Sequence, residues 1–178
     1  MALKTYFSKD WTHDTSYKYS WDALVDKVNA LEPEAVLDVG CGYNYFKDKI
    51  NNLTGIDPFN AQADCLIHVE DYTPGEKYDV ILALGSVNFG TKKDIDRQMK
   101  SIDNLLEESG DIFMRLNPGL DHHWNDKSEG IEFFKWDMHT IEEYASIYGY
   151  NIVDWQEDPN IHGSMRYYVH LKKVYVDV

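Results

Sequence analysis

A short apolar run that ends in a glycine turn constrains the fold of this chain more than any other feature of its sequence. Residues 35–39 have the character of a buried strand, and Gly40-Cys41-Gly42 follows them directly. Glycine lets the backbone turn tightly and approach a ligand closely, because it carries no Cβ. The segment therefore predicts a strand that leads into the next element beside a small-molecule site.

The rest of the chain alternates between apolar runs and segments with helical spacing. Helices are predicted at residues 21–31 after an N-cap at Ser20, at 45–50, between Thr91 and Gly110, and at 140–148 behind a capping box at Thr140. Strands are predicted at residues 35–39, 53–56, 65–69, 78–84, 111–116, 151–155 and 165–171. This alternation predicts an α/β fold, with a doubly wound, mostly parallel sheet, helices on both faces and an antiparallel pair at its end.

The length and charge of the chain limit its organisation and its partners. The 178 residues contain no linker, so we expect one domain over residues 1–178, with residues 1–17 as a mobile arm or lid. Lys and Arg number 17 against 31 Asp and Glu, and the resulting charge of −14 disfavours nucleic acid and anionic membranes as partners. Two cysteines, no signal peptide and no membrane-spanning run indicate a cytoplasmic protein.

The residues around the glycine turn indicate which cofactor it would hold. Asp57 ends the next strand, 19 residues after Asp38, where a carboxylate can accept hydrogen bonds from both ribose hydroxyls of an adenosine. Tyr45 stands where a pyrophosphate-binding turn has its third glycine, and no Gly-Lys-Ser/Thr follows. Asp38 precedes Gly40 by two residues and would face a ligand amino group. These features favour a positively charged adenosine cofactor without phosphates, which describes S-adenosylmethionine.

At these positions the chain resembles the class I S-adenosylmethionine-dependent methyltransferases. Asp38-Val39-Gly40-Cys41-Gly42 resembles their Asp/Glu-x-Gly-x-Gly motif, and Gly55-Ile56-Asp57 resembles the segment that carries their ribose-binding acid. Residues 78–81 and 110–113 resemble the starts of their fourth and fifth strands. The resemblance covers residues 21–175 and implies a Rossmann-like methyltransferase fold, with a seven-stranded sheet whose last strand is inserted antiparallel.

The resemblance also implies a set of cofactor-binding residues. They are Asp38, Gly40, Cys41, Gly42, Asn44, Asp57, Pro58, Asp71, Leu84 and Gly85. Asn44 replaces a glycine of the family, and asparagine tolerates a positive φ better than most residues do. Glu70 and Asp71 both follow the predicted third strand, where an acid contacts the adenine amino group, and Asp71 is our first choice.

The expected activity is methyl transfer to a small molecule or to a group on a partner, by in-line attack on the cofactor methyl group with release of S-adenosylhomocysteine. Residues 86–89 and 117–124 should wall the methyl group. His122 and His123 are candidate general bases, although positioning and water exclusion alone can accelerate transfer from a sulfonium. No acid that could hold a metal follows the fourth strand, so no metal is expected.

Three alternatives to small-molecule methylation have different sequence requirements. Residues 85–90 lack the Asn/Asp-Pro-Pro-aromatic segment of the methyltransferases that act on DNA bases, which disfavours that reaction. The chain is short for the family, and this leaves open a non-catalytic S-adenosylmethionine-binding protein or subunit. Aminopropyl transfer is disfavoured because Asp38 suits the amino group of a complete methionine.

Overall fold

The computed structural model of the chain describes residues 2–119 and 130–174. Its strands are β1 (Val36–Val39), β2 (Leu53–Ile56), β3 (Tyr78–Leu84), β4 (Leu106–Leu116), β5 (Tyr150–Pro159) and β6 (Met165–Lys173). They form one sheet in the order β2-β1-β3-β4-β6-β5. Strands β1 to β4 pair in parallel, whereas β6 runs antiparallel to both β4 and β5. The predicted mostly parallel sheet, with its last strand inserted antiparallel, is confirmed.

The prediction of a seventh strand at residues 65–69 is wrong. Cys65 forms only an isolated parallel bridge with Ile56, and the chain then enters a short 3-10 helix at Val69–Asp71. The segment lies beyond β2 at the edge of the sheet, and Leu66 is 63% exposed there. The exposed Leu66 side chain therefore contributes little burial that would hold the segment as a strand.

The described helices are α1 (Ala2–Thr5), which continues as a π-helical turn at Tyr6–Asp10, α2 (Asp22–Asn29), α3 (Lys92–Leu105) and α4 (Met138–Tyr148). Thr91 and Asp94 form a capping box at the start of α3, which agrees with the helix predicted to begin at Thr91. Gly149 ends α4 in the left-handed conformation. None of the described helices is long and apolar enough to cross a membrane.

Two predicted helix starts are wrong because the side chains have other partners. Trp21 rather than Ser20 is the N-cap of α2, and the Ser20 hydroxyl instead donates to Asp158 at the end of β5. Helix α4 begins before the capping box that was predicted at Thr140. Its N-cap is Asp137, whose side chain accepts the backbone N–H of Thr140 at 2.8 Å.

The predicted helix at residues 45–50 is a series of turns. Asn44 and Asp48 have φ values of 57° and 66°, and a residue in the left-handed region cannot continue a right-handed helix. Phe46 and Ile50 are nevertheless buried, at 2% and 3% exposure. The apolar spacing of this segment therefore reflects burial of these side chains against the sheet.

Alternate residues of the central strands enter two separate clusters of buried side chains. One cluster joins Leu37 of β1 to Ile95 of α3 and Ile141 of α4. The other joins Val36 to Leu24 of α2. Successive side chains of a strand point to opposite sides of the sheet. The central strands therefore lie between two apolar layers.

Candidate functional site

A cavity of about 300 Å³ lies at the carboxyl ends of the parallel strands. Gly40 follows β1, Asp57 follows β2 and Gly85 follows β3, and all three line the cavity. Pro58 and Leu84 line it as well. Parallel strands end at one edge of a sheet, which is where ligands bind in open α/β folds. The fold thus brings together five of the residues that the sequence assigned to cofactor binding.

Asp57 connects the glycine turn to the turn after β2. It is 5% exposed, and its Oδ2 accepts the backbone N–H of Gly42 at 3.0 Å. Its Oδ1 accepts the backbone N–H groups of Phe59 at 2.7 Å and Asn60 at 3.0 Å. A carboxylate offers about four acceptor positions, so Oδ2 retains capacity for a ligand hydroxyl while the residue also fixes both turns.

The other five predicted cofactor residues do not line the cavity. These residues are Asp38, Cys41, Gly42, Asn44 and Asp71. Burial raises the pKa of the Cys41 thiol, which therefore stays protonated. Asn44 has the expected positive φ, and its side-chain amide donates to the carbonyl of Gln62 at 3.0 Å. Glu70 lines the cavity, whereas its neighbour Asp71 does not.

Aromatic rings cover the outer part of the cavity. Phe7, from the π-helical turn near the N-terminus, lies nearly parallel to Phe59 with 6.1 Å between ring centroids. The same ring meets Phe89 edge-on at 5.1 Å. All three line the cavity, together with Ile67 and Val69. This wall is apolar and flat-sided, and such a surface suits a planar heteroaromatic ring.

The segment after the π-helical turn near the N-terminus packs onto the glycine turn. The Tyr43 hydroxyl donates to the Trp11 carbonyl at 2.8 Å, and the Tyr43 backbone N–H donates to Nε2 of His13 at 3.3 Å. A Cβ at Gly42 would lie 2.6 Å from the Trp11 ring. Burial, reinforced by the charge of Arg115, lowers the pKa of His13 to about 4, so this imidazole is neutral at pH 7.

Two oppositely charged side chains are buried on the side of the sheet that α2 covers. Asp38 follows Leu37 in β1, and Arg115 follows Met114 in β4. The side chains of Leu37 and Met114 enter the cluster on the opposite side of the sheet. Asp38 is 3% exposed and Arg115 is 8% exposed. Burial raises the pKa of Asp38 to about 7, although the charge of Arg115 opposes that rise. Only Arg115 lines the cavity.

Arg115 lines the cavity, and the sequence motifs did not single it out. Its guanidinium donates from Nη2 to the Leu84 carbonyl at 2.8 Å and from Nη1 to the Ser20 carbonyl at 3.3 Å. It also lies over the rings of Tyr17 and Trp21, 4.5 Å and 5.6 Å from their centroids. A charged residue inside the otherwise apolar end of a buried strand was the available signal.

The loops after β3 and β4 are joined to each other. Asn88, in the first loop, donates to the Arg115 carbonyl at 3.2 Å and accepts the Asn117 backbone N–H at 2.9 Å. Of residues 86–89, Ser86 and Phe89 line the cavity. His122 and His123 lie outside the described residues, as does most of the predicted second wall. Within residues 2–119 and 130–174 no group of three or more His, Cys, Asp or Glu residues could hold a metal.

Comparisons with known proteins establish the fold. No protein-family model and no curated protein sequence matches the chain. The structure is similar to that of the 1,6-didemethyltoxoflavin-N1-methyltransferase of Burkholderia thailandensis with bound S-adenosylhomocysteine, at 15% identity and a TM-score of 0.68, over 86% of this chain and 78% of that one. It is also similar to an S-adenosylmethionine-dependent methyltransferase of Clostridium acetobutylicum, at 16% identity and a TM-score of 0.67, over 91% and 94% of the two chains.

A third similar structure is the amino pentose methyltransferase of Micromonospora echinaspora with bound S-adenosylmethionine. It is 14% identical, with a TM-score of 0.64 over 85% of this chain and 89% of that one. The three matches cover most of every chain compared. The chain therefore has the Rossmann-like fold of the S-adenosylmethionine-dependent methyltransferases, as the glycine motif and the order of the elements implied.

Proposed function

We propose that this chain is an S-adenosylmethionine-dependent methyltransferase that acts on a small molecule or on a group of a partner. One observation carries the proposal: in a methyltransferase fold, the buried carboxylate of Asp57 and the glycine turn at Gly40 meet at one cavity. Two of the similar structures are of enzymes whose names state a small-molecule substrate, 1,6-didemethyltoxoflavin and an amino pentose. The apolar lining of the cavity agrees with such an acceptor.

The residues present fit this cofactor. Gly40 and Gly85 leave open backbone at the cavity wall, and Ser86 between the two strand ends has a buried hydroxyl with no hydrogen-bond partner among the described residues. We assign the ribose hydroxyls to Asp57 and the ammonium group to Asp38. For the adenine amino group we now favour Glu70 over Asp71, because Glu70 lines the cavity.

When bound, the cofactor supplies a sulfonium methyl group that an acceptor attacks in line, leaving S-adenosylhomocysteine. The chain's own contribution is to orient both partners and to exclude water. We propose that the arm at residues 1–17 closes the cavity, since Leu3, Phe7 and Trp11 already line it. We retain His122 and His123 as candidate general bases.

The broader features of the protein follow the same proposal. We infer that helices cover both faces of the sheet, since α2 contacts one buried cluster while α3 and α4 contact the other. We propose a single domain over residues 1–178, a cytoplasmic location and no nucleic-acid partner. The two free cysteines support the cytoplasmic location. The charge of −14 supports the absence of a nucleic-acid partner.

Calorimetry and a transfer assay together test the function. We expect the protein to bind S-adenosylhomocysteine and to transfer labelled methyl groups from S-adenosylmethionine to one member of a panel of small molecules with oxygen and nitrogen nucleophiles. Binding without turnover across such a panel and a whole-cell extract would favour the non-catalytic alternative. Tight binding of NAD with no binding of S-adenosylhomocysteine would contradict both.

The pH dependence of cofactor affinity tests the role of Asp38. Its pKa of about 7 in the free protein means that the carboxyl group must lose a proton before it can pair with the ligand ammonium group. We therefore expect the affinity for S-adenosylhomocysteine to fall about fivefold between pH 7 and pH 6, because the deprotonated fraction of the free protein falls from about one half to about one tenth. Calorimetry at these pH values measures the change.

Two controls accompany this titration. The ligand 5′-methylthioadenosine lacks the amino acid end, so its affinity should stay flat over the same pH range. The Asp38→Asn variant should bind S-adenosylhomocysteine more weakly and with the same flat profile. An equal pH slope in wild type and Asp38→Asn would show that another group titrates.

A further inference from the structure

The guanidinium of Arg115 keeps hydrogen-bond donors for a ligand. It is 92% buried, yet its hydrogen bonds go to uncharged oxygens, namely the Leu84 carbonyl and the carbonyl and hydroxyl of Ser20. Among the described residues, no carboxylate forms an ion pair with it. A guanidinium has five N–H groups, so the Nε hydrogen and one Nη2 hydrogen remain. That edge faces Gly85 at the cavity wall, where a Cβ would lie 3.4 Å from Nη2 and 3.7 Å from Nε.

Two further donors near Arg115 are buried without partners. The Ser86 hydroxyl and the Trp21 indole N–H form no hydrogen bond among the described residues. Ser86 lines the cavity, as Arg115 does, whereas Trp21 does not line it and has its ring centroid 5.6 Å from the guanidinium carbon. Buried polar groups in native proteins are almost always hydrogen-bonded, so unused donors at a cavity indicate a ligand that accepts from them.

We propose that Arg115 and Ser86 bind the α-carboxylate of the cofactor's amino acid end. The inference rests on the proposed function and extends it, because it assigns a group that the glycine motif leaves without a partner. A planar carboxylate matches the free Nε and Nη2 edge of Arg115, which can donate two parallel hydrogen bonds. With Asp38 nearby for the ammonium group, the two buried charges form a site for a zwitterion.

The surrounding charges favour a carboxylate over a phosphate. Asp38 and Asp57 both lie close to the glycine turn. Their two carboxylates therefore place negative charge in the same buried region. A single-charged carboxylate accompanied by its own ammonium group leaves this region close to neutral. A dianionic phosphate would leave an excess of negative charge in a buried site, which is costly.

Ligands that differ only in the carboxylate test the inference. S-adenosyl-3-thiopropylamine is S-adenosylhomocysteine without this group, and 5′-methylthioadenosine lacks the whole amino acid end. We expect wild type to bind S-adenosylhomocysteine at least ~10-fold more tightly than the decarboxylated ligand, because hydrogen bonds between charged groups exceed a tenfold effect each. In Arg115→Met that preference should fall to about one, and Arg115→Lys should retain part of it.

A matched control and a second variant keep the result interpretable. Arg97 also lines the cavity, but it pairs with Asp94 on α3, so Arg97→Met should keep the wild-type preference. Unchanged affinity of Arg115→Met for 5′-methylthioadenosine shows that the adenosine half of the site is intact. If Arg115→Met does not fold, Ser86→Ala gives the test, since it should reduce the preference severalfold.

The outcomes separate this inference from the proposed function. If wild type binds none of the three ligands, the proposed function fails. If wild type binds S-adenosylhomocysteine and the decarboxylated ligand equally, only the Arg115 assignment fails. If Arg115→Met keeps the full preference for S-adenosylhomocysteine but loses methyl transfer, Arg115 binds an anionic group of the acceptor instead, and the assignment is overturned.

Discussion

Replacing Asp57 with alanine is expected to weaken the binding of S-adenosylhomocysteine on the order of 10- to 100-fold, since the hydrogen bond that Oδ2 can still accept from a ligand hydroxyl contributes about 1.5–3 kcal/mol. The loss has a second source in this fold. Asp57 holds the backbone N–H of Gly42 and those of Phe59 and Asn60, so its removal also loosens both turns that border the cavity. Titration calorimetry of the variant measures the change directly.

A nearby acidic residue provides the matched control for Asp57. Asp64 accepts the backbone N–H of Gly55 in β2 at 2.8 Å, but it does not line the cavity. Asp64→Ala should therefore lower the melting temperature while leaving ligand affinity within a factor of about three. Asp57→Asn keeps the shape of the side chain and should bind with intermediate affinity. An unchanged affinity in Asp57→Ala would remove the ribose assignment.

The central strands were predictable from sequence because their burial leaves a continuous apolar signature. Residues 78–84 are such a run, and β3 has these bounds. The edge segment at 65–69 has a weaker signature, and no local pattern encodes whether such a segment pairs with the sheet. At residues 45–50 the apolar spacing is genuine, but the left-handed residues Asn44 and Asp48 decide the backbone.

The residues of the candidate site likewise divide into those that a local motif predicts and those that only the fold reveals. The glycine turn and Asp57 are local motifs, so their meeting at one cavity followed from parallel strands that end at one edge. Ser20 could not be placed by such reasoning, because its partner Asp158 lies 138 residues away. Arg115 needed the fold too: only the order of the strands shows that its guanidinium reaches the cavity wall rather than solvent.

Replacing Gly40 with alanine is expected to be the most damaging small substitution in this chain. Gly40 has a φ of 70°, and a Cβ there would lie 2.4 Å from the Cβ of Ser86. The left-handed backbone costs about 1–2 kcal/mol and the collision about 1–3 kcal/mol more. We expect chemical denaturation to show a loss of about 2–5 kcal/mol in the free energy of unfolding, and calorimetry to show cofactor affinity at least ~100-fold weaker.

Three other variants separate the causes of the Gly40 effect. Gly163 also has a positive φ, at 82°, but nothing within 4 Å of a Cβ, so Gly163→Ala reports the backbone cost alone. Gly75→Ala has neither problem and should be neutral. Adding Ser86→Gly to Gly40→Ala removes the atom that collides and should recover the part of stability that exceeds the Gly163→Ala loss. Equal losses in Gly40→Ala and Gly163→Ala would show instead that the glycine turn and the loop after β3 are not in close contact, and the wall that Ser86 forms beside the proposed methyl donor would lose its structural basis.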